Sequence, residues 1–295
     1  MELVSHRLTY KPGDVITVMP LGDIQWTGDP NETAIHQLQY AIDYGLKHRA
    51  WFVGMGDYID FMSPSNRQRL SAAGLYDTAQ SVIDRAAYDL VQNLYDRFLK
   101  PTTGRWLGLL EGHHFTKFED GTTSDQQLCR LLKTRFLGSC AYVGLMFTEQ
   151  FKRSQVARGT VNIWCHHGNG GGQSAAAPVQ KLETHVYGEW EADIYICGHM
   201  TKQAAVPKNR VYPQWYGTPH LQHNKKVLVG SGGFAKAYTE GSKHGQVPRG
   251  GYVEQRMLKP VVLGCPVIRV APRHNHTGSG SMHRRQWSPD ITVEV

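Results

Sequence analysis

The stretch Val15-Ile16-Thr17-Val18-Met19-Pro20-Leu21-Gly22-Asp23-Ile24-Gln25 decides how the chain is read. It is an apolar, β-branched run that stops at a glycine and a carboxylate. That is the pattern of a buried strand delivering an acid to the carboxyl edge of a sheet. Four later stretches repeat it. Trp51-Phe52-Val53-Gly54-Met55-Gly56 leads to Asp57. Trp106-Leu107-Gly108-Leu109-Leu110-Glu111-Gly112 leads to His113 and His114. Val161-Asn162-Ile163-Trp164-Cys165 leads to His166 and His167, ahead of Gly168. Asp193-Ile194-Tyr195-Ile196-Cys197-Gly198 leads to His199. If the five ends converge, they form one cluster of oxygen and nitrogen donors.

Between these runs the sequence alternates strand and helix. A short strand is expected over 2–8. Ile35, Leu38, Ile42 and Leu46 recur at helical spacing to about Arg49, with Asn31 as a candidate cap. Strand 51–56 follows at once, a β-α-β order that implies a parallel pair. Residues 58–76 read as an insertion. A long helix over 77–99 ends at Lys100-Pro101, and a shorter one over 125–136 is capped by Ser124. Strands 141–149 and 160–166 read as a hairpin. The run Gly168-Asn169-Gly170-Gly171-Gly172-Gln173 is a loop, followed by a helix over 178–190 and a strand over 193–197. Beyond 200 the pattern is β-rich, with strands at 227–229, 252–255, 261–262, 267–270 and 291–295. Residues 273–286, polar and basic, read as a mobile loop. With no repeat and no dividing linker, 1–295 reads as a single α/β domain. Its motif-bearing region is about 15–201 and its basic, β-rich part about 202–295.

The net charge is +7 and the calculated pI is about 9.1. The excess is uneven: residues 201–295 hold 14 Lys and Arg against 4 Asp and Glu. A basic third beside a metal site suits a polyanionic substrate, DNA or RNA among them. The five cysteines are an odd number without a CxxC pair, which fits a reducing compartment. Nothing reads as a signal peptide, and no apolar run is long enough to span a membrane. The expectation is a cytoplasmic protein without a membrane partner, in the host cytoplasm if a phage encodes it. The oligomeric state is not legible.

Asp23, Asp57, one of His113 and His114, one of His166 and His167, and His199 are ligand types for Mn, Fe, Zn or Ni. Two such ions about 4 Å apart suit phosphoryl chemistry. A single Gly-Asp or Gly-His is usually only a turn; the ordered set of five carries the signal.

In that order the series resembles the calcineurin-like metallophosphoesterase family. The family pattern is Asp-x-His, Gly-Asp, Gly-Asn-His-Asp/Glu, a strand-ending His often before Gly, and Gly-His-x-His. The matching stretches here are Asp23-Ile24-Gln25, Gly56-Asp57, Gly112-His113-His114-Phe115, His166-His167-Gly168 and Gly198-His199-Met200-Thr201. The later segments Gly230-Ser231-Gly232-Gly233-Phe234, Gly251-Tyr252 and Leu263-Gly264-Cys265-Pro266-Val267-Ile268 are similar to members found in phages and prophages. The resemblance implies a four-layer α-β-β-α sandwich with two mixed sheets and two divalent metals, with Mn favoured and Fe, Zn, Ni or Mg as the others. It implies Asp57 as the bridging ligand and Asp23 and Gln25 on the first metal. His113 stands at the family's Asn position. His199 and His167, with His166 as the alternative, serve the second metal. It implies His114 as the acid that assists the leaving group. Gln25 and Thr201 stand where the family carries histidines, which weakens the first metal site. Phe115 stands where an acid orients the catalytic histidine.

The implied activity is a phosphodiesterase or nuclease using a metal-activated water. The alternatives are a phosphatase or pyrophosphatase on small nucleotides or phosphoprotein, and a degenerate scaffold that binds without catalysis. Trp26, Tyr58, Phe61, Trp215 and Tyr216 are candidates to stack on bases. His220, His223, His274, His276 and His283 read as surface residues. The Gly168–Gly172 run lacks the Lys-Ser/Thr of a P-loop but permits close backbone approach to a phosphate.

Overall fold

Strand β2 (Ile16–Leu21) is apolar at almost every position because both its faces are covered. Val18 joins one core cluster, and Met19 and Leu21 join another. The period-two alternation repeats in β3 (Trp51–Gly54), with Phe52 on one side and Val53 on the other. In β4 (Trp106–Leu109) a register shift against β3 breaks it, so Trp106 and Leu109 share one side and Leu107 takes the other. The computed structural model of the chain describes residues 1–62, 77–150, 158–215, 218–244, 246–248, 250–255, 257–277 and 284–295.

The described strands build two mixed sheets. In one the order is β15 (Asp290–Glu294), β12 (Val267–Ala271), β2, β3, β4. β2, β3 and β4 run parallel, while β12 is antiparallel to both β2 and β15. In the other the order is β1 (Glu2–Tyr10), β5 (Cys140–Glu149), β6 (Arg158–His166), β7 (Ile194–Cys197), β9 (His220–Ser231), β8 (Gln203–Gln214). β1 is parallel to β5, and β6, β7 and β9 are mutually parallel. Val143, Ile163, Ile196 and Val229 from this sheet meet Val18, Val53 and Ile268 from the first in one shared core.

Helices pack on the outer faces. Helix α1 (Ile35–Lys47), α2 (Asp77–Leu94) and α3 (Ser124–Leu132) bury Leu38, Ile42, Val91, Leu94 and Leu128 against Met19, Phe52 and Trp106. Helix α4 (Ala177–His185) buries Val179 and Leu182 against Trp164, Tyr195 and Leu228. Two-residue ladders β10 (Lys243–His244) and β11 (Val247–Pro248), the one-turn helix α5 (Tyr252–Gln255), and the hairpin of β13 (His274–Thr277) with β14 (Arg284–Trp287) complete the described elements.

Several expectations change. Tyr252–Gln255 is a helical turn, not a strand, and residues 261–262 belong to no strand. Within 273–286, expected as a loop, β13 pairs with β14. The cap of α3 is Thr123: its hydroxyl accepts from Gln126 N while the Gln126 side chain accepts from Thr123 N. Ser124 Oγ is thereby free to accept from Thr116 N, at 3.0 Å. The same helix stops at Leu132 because Lys133 turns left-handed (φ 55°). Asn31 caps nothing; α1 starts after Ala34 without a side-chain cap. Helix 77–99 is α-helical to Leu94, and its last turn widens to a π-turn over Tyr95–Leu99. The twelve-residue hairpin strands β8 and β9 were legible only at 227–229. Their outer halves are polar, and Pro207 and Pro213 sit in β8, an edge strand that needs no donor there. His274 is not on the surface; it is buried against Tyr10, with Nδ1 3.2 Å from the phenol oxygen. Tyr216, His283 and residues 63–76 of the insertion lie outside the described residues, as does the side chain of His276.

Lys226 is the one charged residue buried in β9, at 1% exposure. Its ammonium donates to Glu191 Oε1 at 2.6 Å and to Asp193 Oδ1 at 3.1 Å. Removing one partner of a buried pair costs about 3–5 kcal/mol, and the exposure of Glu191 puts this case at the lower end. Lys226→Ala is expected to lower unfolding free energy by about 3 kcal/mol in urea titrations, and Lys226→Met by clearly less. Equal losses would place the effect in the lost ion pairs and not in packing.

Candidate metal centre

The parallel strands of both sheets deliver their carboxyl ends to one place. The turns after β2 and β3 run on side by side. Asp23 N donates to Gly56 O (2.9 Å), Gln25 N to Asp57 O (3.0 Å) and Trp26 N to Tyr58 O (3.1 Å). This zipping aims the Asp23 and Asp57 side chains inward, and both are buried, at 0% and 1% exposure. Asp23, Gln25, Asp57, His199 and Thr201 all hold positive φ, between 48° and 66°. These are five of nine non-glycine residues of that kind among the described residues. Left-handed backbone costs of order 1–3 kcal/mol per residue and concentrates where a site over-determines it.

The third turn, Gly112-His113-His114, closes on Asp57. His113 N and His114 N donate to Asp57 Oδ1 at 2.5 and 2.9 Å. Gly112 must be glycine: a Cβ there would lie 2.1 Å from both Asp57 N and Asp57 Oδ1. From the other sheet, His199 N donates to Asp23 Oδ2 at 2.9 Å. Phe234 N donates to Asp23 O at 2.8 Å, so the segment after β9 braces the first turn from behind.

The side chains form two donor groups. Asp23, Asp57 and His167 place donor atoms within 4.8 Å of one another, and so do His113, His167 and His199. His167 Nδ1 lies 2.6 Å from Met55 O. A carbonyl only accepts, so Nδ1 carries the proton and Nε2 faces the centre. His167 Nε2 is 3.3 Å from Asp57 Oδ2. Neither atom has an aligned hydrogen-bond partner, and neither has Asp23 Oδ1, although all three are buried. His113 Nδ1 and His199 Nδ1 stand 3.2 Å apart. Three orphaned buried donors and converging imidazoles could hold a metal ion.

Of the expected ligands, Asp23, Asp57, His113, His167 and His199 come together. His166 does not; its Nδ1 accepts from Gly168 N at 2.6 Å and its ring stacks on Trp164. Gln25 is present through its backbone, on the same pair of turns. The residue common to both groups is His167, whereas the resemblance gives the shared place to Asp57. Asp57 Oδ1 is taken by two amides, which leaves Oδ2 for the centre.

No family model matches the chain, and neither does a curated protein or a solved structure. The chemistry of the site therefore rests on its own geometry.

His114 sits beside the cluster, Nε2 3.9 Å from Asp57 Oδ2 and Nδ1 3.0 Å from Asp60 Oδ1. Asp60 thus stands beside the ring, where the family's acid at Phe115 is missing, in contact with Nδ1 but without an aligned hydrogen bond. Sequence reading missed Asp60, although it lies three residues past Asp57 on the same turn. It also missed Asp125, which is buried at the start of α3 and accepts from Gly112 N at 3.0 Å. Burial pushes its carboxyl up to about 7. Only its place in the first turn of a helix hinted at it.

Burial also pushes Asp23 up to about 7. Burial alone would raise Asp57 too, but the contact with His167 and the charge of that ring outweigh it and hold Asp57 well below the usual carboxylate range. Burial works against a charge on His167, yet its contact with Asp57 and the charges of Asp57 and Asp23 push it up to about 9. His199, desolvated and facing His167 and His113, falls to about 4. Metal binding requires His167 and Asp23 without protons. With His167 held up to about 9, the metal-free chain carries a proton there at pH 7, and metal binding would release it. Apparent affinity is expected to rise with pH from 7 to 9, about tenfold per unit for each proton displaced, and to level off above. Calorimetry in buffers of differing ionisation enthalpy reads this; an affinity flat over that window would contradict the assignment.

Proposed function

We propose that the chain is a metal-dependent phosphoesterase of the calcineurin-like type, acting on phosphodiesters. The observation that carries the reading is the convergence of Asp23, Asp57, His113, His167 and His199, with three donors orphaned in a buried setting. The two mixed sheets with helices on their outer faces support the four-layer architecture that goes with it. A bound divalent metal, Mn favoured, supplies positive charge for phosphoryl oxygens and lowers the pKa of a water. The chain's own part is to fix the donors on strand ends and to hold His114, with its Nδ1 against Asp60, so that Nε2 can give a proton to the departing oxygen.

The diester preference rests on less than the sequence implied. Trp26 and Tyr58 are fully buried and cannot stack on bases, and Phe61 packs against the helix-side core. Trp215 is exposed but follows β8, whose start, not its end, lies by the centre. What still favours a diester is the open, exposed position of His113 beside the buried donors.

The test is hydrolysis of bis-p-nitrophenyl phosphate and p-nitrophenyl phosphate by purified chain, with and without Mn. The expected result is Mn-dependent cleavage favouring the diester, lost on chelation and restored by Mn. Folded, Mn-loaded protein that cleaves neither ester would leave the binding-scaffold reading in its place.

A further inference from the structure

Much of the C-terminal basic excess is neutralised within the fold. Lys208 meets Glu183, Arg210 and Lys226 meet Glu191, Lys225 and Arg273 meet Asp290, and Arg269 meets Glu294. Three lysines at the end of the sandwich that carries the metal centre behave differently. Lys181, in α4, donates to the backbone oxygen of Asn169 and, at 2.8 Å, to Asn169 Oδ1. Lys202, just after Thr201, donates to Gly172 O. Among the described residues neither of these lysines, nor Lys259, has a carboxylate at ion-pair distance. Carbonyl and amide oxygens orient an ammonium without cancelling its charge.

Burial, and then the charge of Lys259, pulls the Lys202 ammonium below the usual lysine range. The loop that Lys181 and Lys202 pin lies on the metal-site histidines: a Cβ on Gly168 would come within 3.2 Å of His199 Cβ. Like charges gathered without a counter-ion, on a loop next to a phosphoryl site, are complementary to a second anion.

We propose that Lys181 and Lys202, with the 168–172 loop they hold, form together with Lys259 a subsite for a second phosphate group of the substrate. That group is the neighbour of the phosphate engaged at the metal centre. The identity of the anion as part of a substrate rests on the phosphoesterase reading; the binding of phosphate does not. Two sources offer this chemistry, a single-stranded oligonucleotide and a nucleoside triphosphate.

The experiment measures binding to the metal-free full chain, without turnover. The probes are fluorescein-labelled octathymidylate, followed by anisotropy, and ATP, followed by competition. Wild type is expected to bind at least one of them, more weakly as salt rises. Lys181→Gln/Lys202→Gln/Lys259→Gln is expected to bind at least about tenfold more weakly, with a salt slope shallower by about 1 to 2. The Lys→Arg triple should stay close to wild type and so exclude a folding defect. A charge-matched control, Lys11→Gln/Lys47→Gln/Lys100→Gln, lies at the other end of the sheets and should bind like wild type. Preference for the octamer assigns a flanking phosphodiester, and preference for ATP a polyphosphate chain. No binding of either probe, or equal loss in the control, overturns the subsite. Loss of ester hydrolysis with this binding intact would instead overturn the catalytic reading and leave the anion site standing.

Discussion

Asp57→Ala is expected to abolish turnover of the diester, by at least about a thousandfold in kcat/KM, and to lower bound metal below one ion per chain. The size follows from how much one side chain does. Asp57 Oδ1 anchors the third turn through His113 N and His114 N, while Oδ2 is an orphaned donor against His167. Alanine removes the ligand charge and leaves two part-buried amides without an acceptor, each costing at the lower end of about 1–3 kcal/mol. Turnover alone would not tell loss of metal from collapse of the turn, so Asp57→Asn is the sharper variant. Its amide oxygen can still accept from both N–H groups, but it brings no charge. Activity should fall as far as in the alanine variant while the thermal midpoint stays near wild type. Asn should also relieve Asp23, whose carboxyl is raised partly by the charge of Asp57. Wild-type activity in either folded variant would remove Asp57 from the site.

The second large effect is expected at His114. His114→Ala should lower turnover about 10²–10⁴-fold, the usual range for loss of a general acid, with metal content unchanged. Its ring lies beside Asp60 and outside both donor groups. Asp60→Asn should give a smaller loss, about tenfold, because the ring stays but its tautomer and angle are no longer held. The loss in His114→Ala should shrink for an ester whose leaving group departs without a proton, such as p-nitrophenolate. Metal lost along with activity would mean that His113 and His114 exchange roles.

What the sequence made legible was the part governed by short-range pattern. Buried parallel strands read as continuous apolar runs, and the residue after each run fell where strand ends meet. Asp23, Asp57, His199 and the His166–His167 pair could therefore be placed from the sequence. The choice between His166 and His167 needed tertiary contacts. Only in the fold does Met55 O claim His167 Nδ1 and Gly168 N claim His166. Asp60 and Asp125 were illegible because neither ends an apolar run; each acts through a turn contributed by another segment. The aromatic residues misled for a related reason. Trp26 and Tyr58 follow the site carboxylates in sequence, yet the zipped turns fold them under the helices, where Tyr58 donates to Leu110 O at 2.9 Å. The β8–β9 hairpin escaped because its length comes from pairing between two strands and not from apolar periodicity within either.

The order in which strands find partners bears on how the protein is made. Glu2 stands opposite Ala141, and Val18 opposite Ile268. The strand that carries the first carboxylate therefore waits for a neighbour from near the far end of the chain. At a synthesis rate of about 5–20 residues per second, that wait is on the order of 10–50 s. Throughout it the apolar flank of β2 that β12 will cover is open, and Asp23 lacks the brace of Phe234. Such long-range closure makes for slow folding and exposes the nascent chain to misassociation. The strand that carries Asp23 is complete on both edges only once residues 268–270 have emerged.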